Sequence, residues 1–192
     1  NSVYEKTKLE AETLVKQYGI SKGLNYTILR PSNIFGENDK WNKLLALFIS
    51  LKRKYFFYLN PNAIVNYVYV KQVTHIIRQI VDRNVFNNKI YNVNSPCKIS
   101  DFILMIKNKL GVYHKTISIP FPISLAIKVL GKIGDFLPQK YQVLNSGKYR
   151  ELTSLKYYAT DEIKKEMEIH EMKFLEKGIE NLVRHYEKNN VL

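Results

Sequence analysis

The chain has 192 residues, 45% hydrophobic and 24% charged, the size and balance of one soluble globular domain with a sizeable core, which excludes a disordered tail. Its formal charge of +13, from 30 basic and 17 acidic residues, means that an acidic partner such as nucleic acid, a phosphorylated ligand or a membrane face must be weighed. Only six of the basic residues are arginine, so guanidinium forks for bidentate reading of phosphates and bases are scarce; the lone Cys97 excludes a disulfide framework or a cysteine metal cluster and fits a reducing cytoplasm.

Taken in chain order, Glu5 to Tyr18 reads as a helix with Leu9, Ala11, Leu14 and Val15 in one stripe, closing at Gly19. Asn25 to Leu29 is a short strand that runs into Arg30-Pro31-Ser32-Asn33-Ile34-Phe35-Gly36, where Pro and Gly predict a loop at the strand's carboxyl end. A helix near Lys43 to Leu51, a strand near Ala63 to Tyr69, a helix near Gln72 to Asp82 and a strand near Ile90 to Val93 follow. Ser100 predicts the cap of a helix to Leu110 with Gly111 behind it, Thr116 to Ile119 suits a strand, and Pro122 suits the first position of a helix to about Leu130. Asp161 to Met167 and Phe174 to Lys188 are helical. This alternation implies an α/β chain with some parallel sheet. The most apolar stretch, Ile117 to Leu137, is broken by Lys128, Lys132, Asp135 and two prolines, so it cannot span a bilayer; core, dimer helix, substrate lid, or amphipathic helix with lysines toward lipid all remain open.

Tyr4 and Lys8 are four residues apart, which puts a phenol and an ammonium on one helical face. A nearby cation favours the ionised phenol, so the pair is a usable acid–base unit. The same spacing recurs at Tyr18/Lys22, which straddles Gly19, and at Tyr67/Lys71, which leaves a strand, so neither is expected to share a helical face. The four histidines are far apart and show no metal-ligand spacing, and Cys97 has no local cation to activate it. The run Tyr55-Phe56-Phe57-Tyr58 beside Lys52-Arg53-Lys54 suits a strand entering the core better than a platform for single-stranded nucleic acid, and no helix-turn-helix, zinc-finger or RNA-recognition signature is present.

Tyr4-Glu5-Lys6-Thr7-Lys8, then a helix and a strand, then Arg30 to Gly36, resembles the NAD-dependent epimerase/dehydratase family, the extended short-chain dehydrogenases, in both motifs and their order. Asn66-Tyr67-Val68-Tyr69-Val70, Ile90-Tyr91-Asn92-Val93 and the two closing helices are similar to later family segments, so the resemblance covers nearly the whole chain. The chain departs from the family pattern at Val65-Asn66 and Lys71-Gln72, which replace Arg-Asp and Asp-Asp, and at Glu37, which replaces a proline.

The resemblance implies the C-terminal part of a Rossmann-like doubly wound parallel sheet plus a small mixed α/β substrate-binding region. Residues 1–36 would end the dinucleotide-binding domain and 37–192 would be mainly substrate-binding, with about 63–94 returning to the sheet. It implies a catalytic role for Tyr4 and Lys8, contact with NAD or NADP by Tyr4, Lys8, Pro31 and Ser32, and contact with a nucleotide-diphosphate sugar by Asn33 and Arg150. It also implies a homodimer through the Glu5–Tyr18 helix, a stripe that packing within one subunit explains equally well. No Gly-x-x-Gly-x-x-Gly loop occurs among the eight glycines, and the chain opens on Asn1 without a methionine or apolar leader. The expectation is therefore that roughly the first two-fifths of a family member, including its pyrophosphate loop, is absent and that this fragment alone is inactive. The expected function is a nucleotide-sugar epimerase or dehydratase; the alternatives are a reductase of a 4-keto sugar or other carbonyl, and a non-catalytic basic binding module.

Overall fold

The computed structural model describes residues 3–39, 44–52, 56–136 and 145–192. Asn1, Ser2, Lys43, Arg53, Lys54, Tyr55 and Leu137, on which parts of the sequence reading fell, lie outside the described residues. The elements in chain order are α1 (Val3–Lys22), β1 (Thr27–Pro31), β2 (Asn33–Phe35), α2 (Leu45–Lys52), β3 (Phe56–Tyr58), β4 (Ile64–Tyr69), α3 (Val70–Asp82), β5 (Lys89–Val93), β6 (Ser95–Lys98), α4 (Ile99–Leu110), β7 (Thr116–Ser118), α5 (Phe121–Gly134), α6 (Ser146–Thr153), α7 (Asp161–Met167) and α8 (Glu171–Lys188).

Among the described residues the strands form three small sheets. β1 pairs with β5 in parallel, in the register Thr27 to Lys89 through Pro31 to Val93. β4 is the centre of a three-stranded sheet, parallel to β2 and antiparallel to β6. β3 and β7 make a parallel pair. The α/β class and the parallel pairing agree with the alternation read from the sequence.

Four local expectations change. The Arg30–Gly36 segment is not one loop: β1 runs to Pro31, a single residue intervenes, and Asn33–Phe35 forms β2, because buried Phe35 is drawn into the core against Tyr69, with ring centroids 5.5 Å apart. α1 does not end at Gly19. The left-handed position that stops it is Gly23, at φ +62°, while Gly19 lies inside the helix, where its lack of a side chain makes room for the Tyr26 ring, 2.8 Å from where a Cβ would stand. Tyr18 and Lys22 therefore also share a helix, but their end of it is remote in sequence from Tyr4. α4 starts one residue before Ser100, whose hydroxyl donates to Asp101 Oδ1 instead of capping the backbone; Gly111 closes the helix at φ +66° as expected. Two short elements, β6 and α6, were not expected.

Two apolar cores hold the fold. One packs Phe35 and Tyr69 against Phe48 of α2, Phe102, Ile103 and Ile106 of α4, and Leu175, Ile179 and Leu182 of α8. The spacing of those last three residues is one helical face. α8 comes flush against the sheet because Gly178 has no side chain: a Cβ there would lie 2.6 Å from Tyr69 Cγ and 2.8 Å from Phe35 Cζ. The other core packs Val73, Ile76 and Ile80 of α3 against Val68, Tyr91, Val93 and the α7 residues Ile163 and Met167.

Outside the cores lie α1 and α5. Among α1's residues only Gly19 is buried, and Leu9, Leu14 and Val15 of the stripe are exposed. In the described part of Ile117–Leu137, α5 packs chiefly on α6, and Ile123, Leu125, Val129, Leu130 and Ile133 are exposed. Among the described residues no helix is long and apolar enough to cross a membrane.

Candidate active site

The site is built from α1 and the crossing between β1 and β2. Because α1 leads into β1 through a short turn, the helix runs back along the strand and its first turn meets the strand's carboxyl end. Tyr4, Lys8 and Pro31 consequently share one open cavity of about 400 Å³, which α1 also lines with Ala11, Glu12 and Val15. Lys8 Nζ lies 5.6 Å from the centroid of the Tyr4 ring. The Tyr4 side is exposed, and Thr7 turns its hydroxyl to the Tyr4 carbonyl, to which it donates at 2.9 Å, so it is a helix residue only.

What fixes α1 here is Arg30. Its Nε donates to Glu12 Oε1 at 2.7 Å and its second terminal nitrogen to Oε2 at 2.5 Å, a two-pronged pair across helix and strand. The hydrogen bonds from Arg30 hold the Glu12 carboxyl below the usual carboxylate range against the opposing effect of burial. Arg30 is a positioning residue that the motif contained but whose partner the sequence did not reveal.

Ser32 is the hinge between the strands. Its N–H donates to the Val93 carbonyl at 2.9 Å and its hydroxyl to Asn94 Oδ1 at 2.8 Å. Asn94, which is buried, passes the connection on: its Nδ2 donates to Asn66 Oδ1 at 2.7 Å, and Asn66 Nδ2 donates to the Lys156 carbonyl at 3.1 Å. Ser32 does not line the Tyr4 cavity, and this chain of amides was missed by sequence reasoning. The only signal for it was the polar pair Asn94-Ser95 directly after a strand.

On the far side of that hinge Asn33 lines a second, larger cavity of about 790 Å³. Its floor is aromatic, with Tyr67 stacked on Phe102 at 5.2 Å between centroids and 10° between planes. Phe56, Tyr157, Tyr158 and Leu155 add apolar wall, while Asn66, Glu151 and Lys156 supply polar groups. Burial, with Glu151 nearby, raises the Tyr67 pKa, so this hydroxyl keeps its proton. Arg150 is not brought to this cavity: it faces the other side of α6 with Lys128 and Lys132, and its neighbour Glu151 occupies the lining instead.

The departures from the family pattern have partners of their own. Glu37 accepts a hydrogen bond from the Tyr69 hydroxyl at 2.7 Å and pairs with Lys71 at 3.3 Å. Burial opposes its charge, yet the Tyr69 hydroxyl, its own backbone N–H and Lys71 together hold its carboxyl below the usual range. Gln72 is buried and accepts from the Ser95 hydroxyl at 2.8 Å. Burial, reinforced by Asp101, pushes the Cys97 thiol up to about 12, which makes it an inert side chain at neutral pH. Among the described residues no group of three or more His, Cys, Asp or Glu is placed to hold a metal ion.

Residues 1–94 match the profile of the NAD dependent epimerase/dehydratase family. Over those residues, just under half of the chain, the sequence is similar to that family. The solved structures it resembles include UDP-N-acetylglucosamine 4-epimerase from Bacillus cereus, at 15% identity and a TM-score of 0.61, with 96% of this chain and 54% of that one covered. A second is dTDP-glucose 4,6-dehydratase from Bacillus anthracis in complex with NAD, at 16% identity and a TM-score of 0.59, with 99% and 53% covered. A third is UDP-glucose 4-epimerase from Thermotoga maritima with UDP-glucose, at 18% identity and a TM-score of 0.55, with 95% and 52% covered. At these identities the likeness is one of fold, and the chain spans little more than half the length of each. No curated protein matches the sequence.

The donor set of the smaller cavity fits the nicotinamide end of the family's cofactor. Tyr4 and Lys8 offer a hydroxyl and an ammonium for ribose oxygens, Pro31 offers an apolar edge for a flat ring, and the Glu12 charge is already matched by Arg30. None of the chain's eight glycines belongs to a Gly-x-x-Gly-x-x-Gly loop, so these residues supply no such cradle for the pyrophosphate.

Proposed function

We propose that this chain carries the catalytic tyrosine and the substrate-binding region of an NAD(P)-dependent nucleotide-sugar epimerase or dehydratase. The observation that supports it most is the hinge at Ser32: Pro31 lines the cavity of Tyr4 and Lys8, and Asn33, two residues on, lines the aromatic cavity. Two ligands held on either side of such a crossing meet at the end of the strand, where open α/β sheets bind their ligands.

A bound nicotinamide supplies the two-electron acceptor and donor for a sugar carbinol. Tyr4 moves the accompanying proton, taking it from the hydroxyl as the carbinol becomes a carbonyl and returning it in the reverse step. Lys8 holds a ribose oxygen and keeps positive charge beside the phenol. Asn33 orients the sugar by hydrogen bonds, and the Tyr67–Phe102 stack offers a face for a planar base. Exposed α1 is the surface through which two copies pair.

A second reading rests on Arg150. Among the described residues the larger cavity has one cation, Lys156, and one acid, Glu151, in its lining, which favours a carbonyl substrate without a diphosphate. Proton NMR of the gene product containing this chain, supplied with UDP- or dTDP-hexoses and NAD, separates the possibilities. Inversion of a ring carbon marks an epimerase and loss of water a dehydratase. Inert nucleotide sugars together with NAD(P)H-dependent reduction of a small ketone establish the second reading and remove the first.

A further inference from the structure

Helix α5 presents its apolar residues outward. It packs on α6 through buried Ser124, whose hydroxyl meets the Tyr149 hydroxyl at 3.1 Å, and through Gly131, where a Cβ would stand 3.3 Å from the Asn145 backbone. At about 100° per residue, the opposite side collects Leu125, Val129, Ile133, Leu130 and Ile123 into an arc about 160° wide. All five are exposed, from 47% to 57%, and Phe136 just beyond the helix is 90% exposed.

The polar border of that arc is cationic. Lys128 and Lys132 follow one another by a turn along it and, with Arg150 and Ser146 of α6, line a cavity of about 320 Å³. Between Phe121 and Thr153 the sequence carries five cations against two acids. Of those acids, Glu151 lines the large cavity on the other side of α6; Asp135 accepts the Ser146 N–H at 3.0 Å and feels the Arg150 charge, so it offsets part of the border and leaves Lys128 and Lys132 as its surplus.

We propose that the α5–α6 hairpin is a docking surface for an anionic lipid bilayer. The apolar arc enters the boundary between headgroups and acyl chains, while Lys128, Lys132 and Arg150 meet headgroup phosphates. Charge selects this occupant over a second copy of the chain, because pairing the same face across a two-fold axis would bring two cationic borders together. The helix lies on the membrane and does not pass through it. This surface holds whichever reaction the larger cavity performs.

The test is flotation of the full chain with vesicles rich in phosphatidylglycerol and, separately, with pure phosphatidylcholine. The chain should float with the anionic vesicles and lose most of that binding as salt rises. Charge reversal by Lys128→Glu with Lys132→Glu should weaken it roughly tenfold or more. Leu130→Asp with Ile133→Asp, at solvent-exposed sites that leave the fold intact by circular dichroism, should abolish it. Absence of flotation, or flotation that survives the aspartate pair, overturns the proposal. So does sedimentation of the unaltered chain as a dimer that the aspartate pair converts to monomer, since a second copy then covers the face.

Discussion

Gly178 shows how one absent side chain sets the larger architecture. The rings of Tyr69 and Phe35 occupy the space a Cβ would need, and both are buried in a packed core with no room to retreat. Gly178→Ala should destabilise the fold by about 1–3 kcal/mol, since helix α8 must back away from the sheet, and urea denaturation reads it directly. An unchanged midpoint would mean that α8 does not sit flush on the sheet. A lone glycine in a helix is visible in the sequence, but the rings it meets come from residues more than a hundred positions away, so its reason is not. That Tyr4 and Lys8 share a helical face was legible for the opposite cause, a spacing of four residues, and the structure sets both beside Pro31 on one cavity. Asn94, which ties Ser32 to Asn66, is joined to partners 62 and 28 residues distant, contacts that only the sheet topology creates.

Among the elements, α1 is largely exposed and is tied to β1 by a charged pair at its middle, Arg30 with Glu12. Glu12 has a lowered folded-state pKa, so the stabilisation from this pair is fully present above its ordinary value of 4.5 and is lost as pH falls through the lowered one. Hydrogen exchange of α1 amides should therefore speed up selectively below that pH, and Glu12→Gln should produce the same loosening at neutral pH. The energy involved is at most about 1 kcal/mol for so exposed a pair, enough to shift local opening without unfolding the domain. Equal protection of α1 at both pH values would contradict the arrangement. Longer helices such as α3 and α8 announce themselves by apolar residues at helical spacing, whereas β6 contains Pro96 and α6 mixes glycine with three charged residues. Pro96 is tolerated because β6 is an edge strand, and α6 forms because Asn145 accepts the Lys148 N–H at its start and α5 covers it.

At the scale of the whole molecule, the basic surplus acquires a location. Part of it borders the outward face of α5, and little of it enters the aromatic cavity, where Lys156 is matched by Glu151. The α/β class and the order of α1 and β1 were readable because each rests on local periodicity; the hinge at Ser32 was not, because Asn33–Phe35 read as loop and not as a strand. That Arg150 and Glu151 would face opposite sides of α6 was not, because the helix itself went unread. In the proposed reaction Tyr4 is the group that moves the proton. The most direct measurement is turnover of nucleotide sugar by the gene product containing this chain, before and after Tyr4→Phe, with nicotinamide binding and melting temperature followed in parallel. Tyr4 is 69% exposed, so removing its hydroxyl should leave folding and cofactor binding intact while turnover falls by about 10²–10⁴-fold. Turnover that stays at the unaltered level would contradict the catalytic assignment.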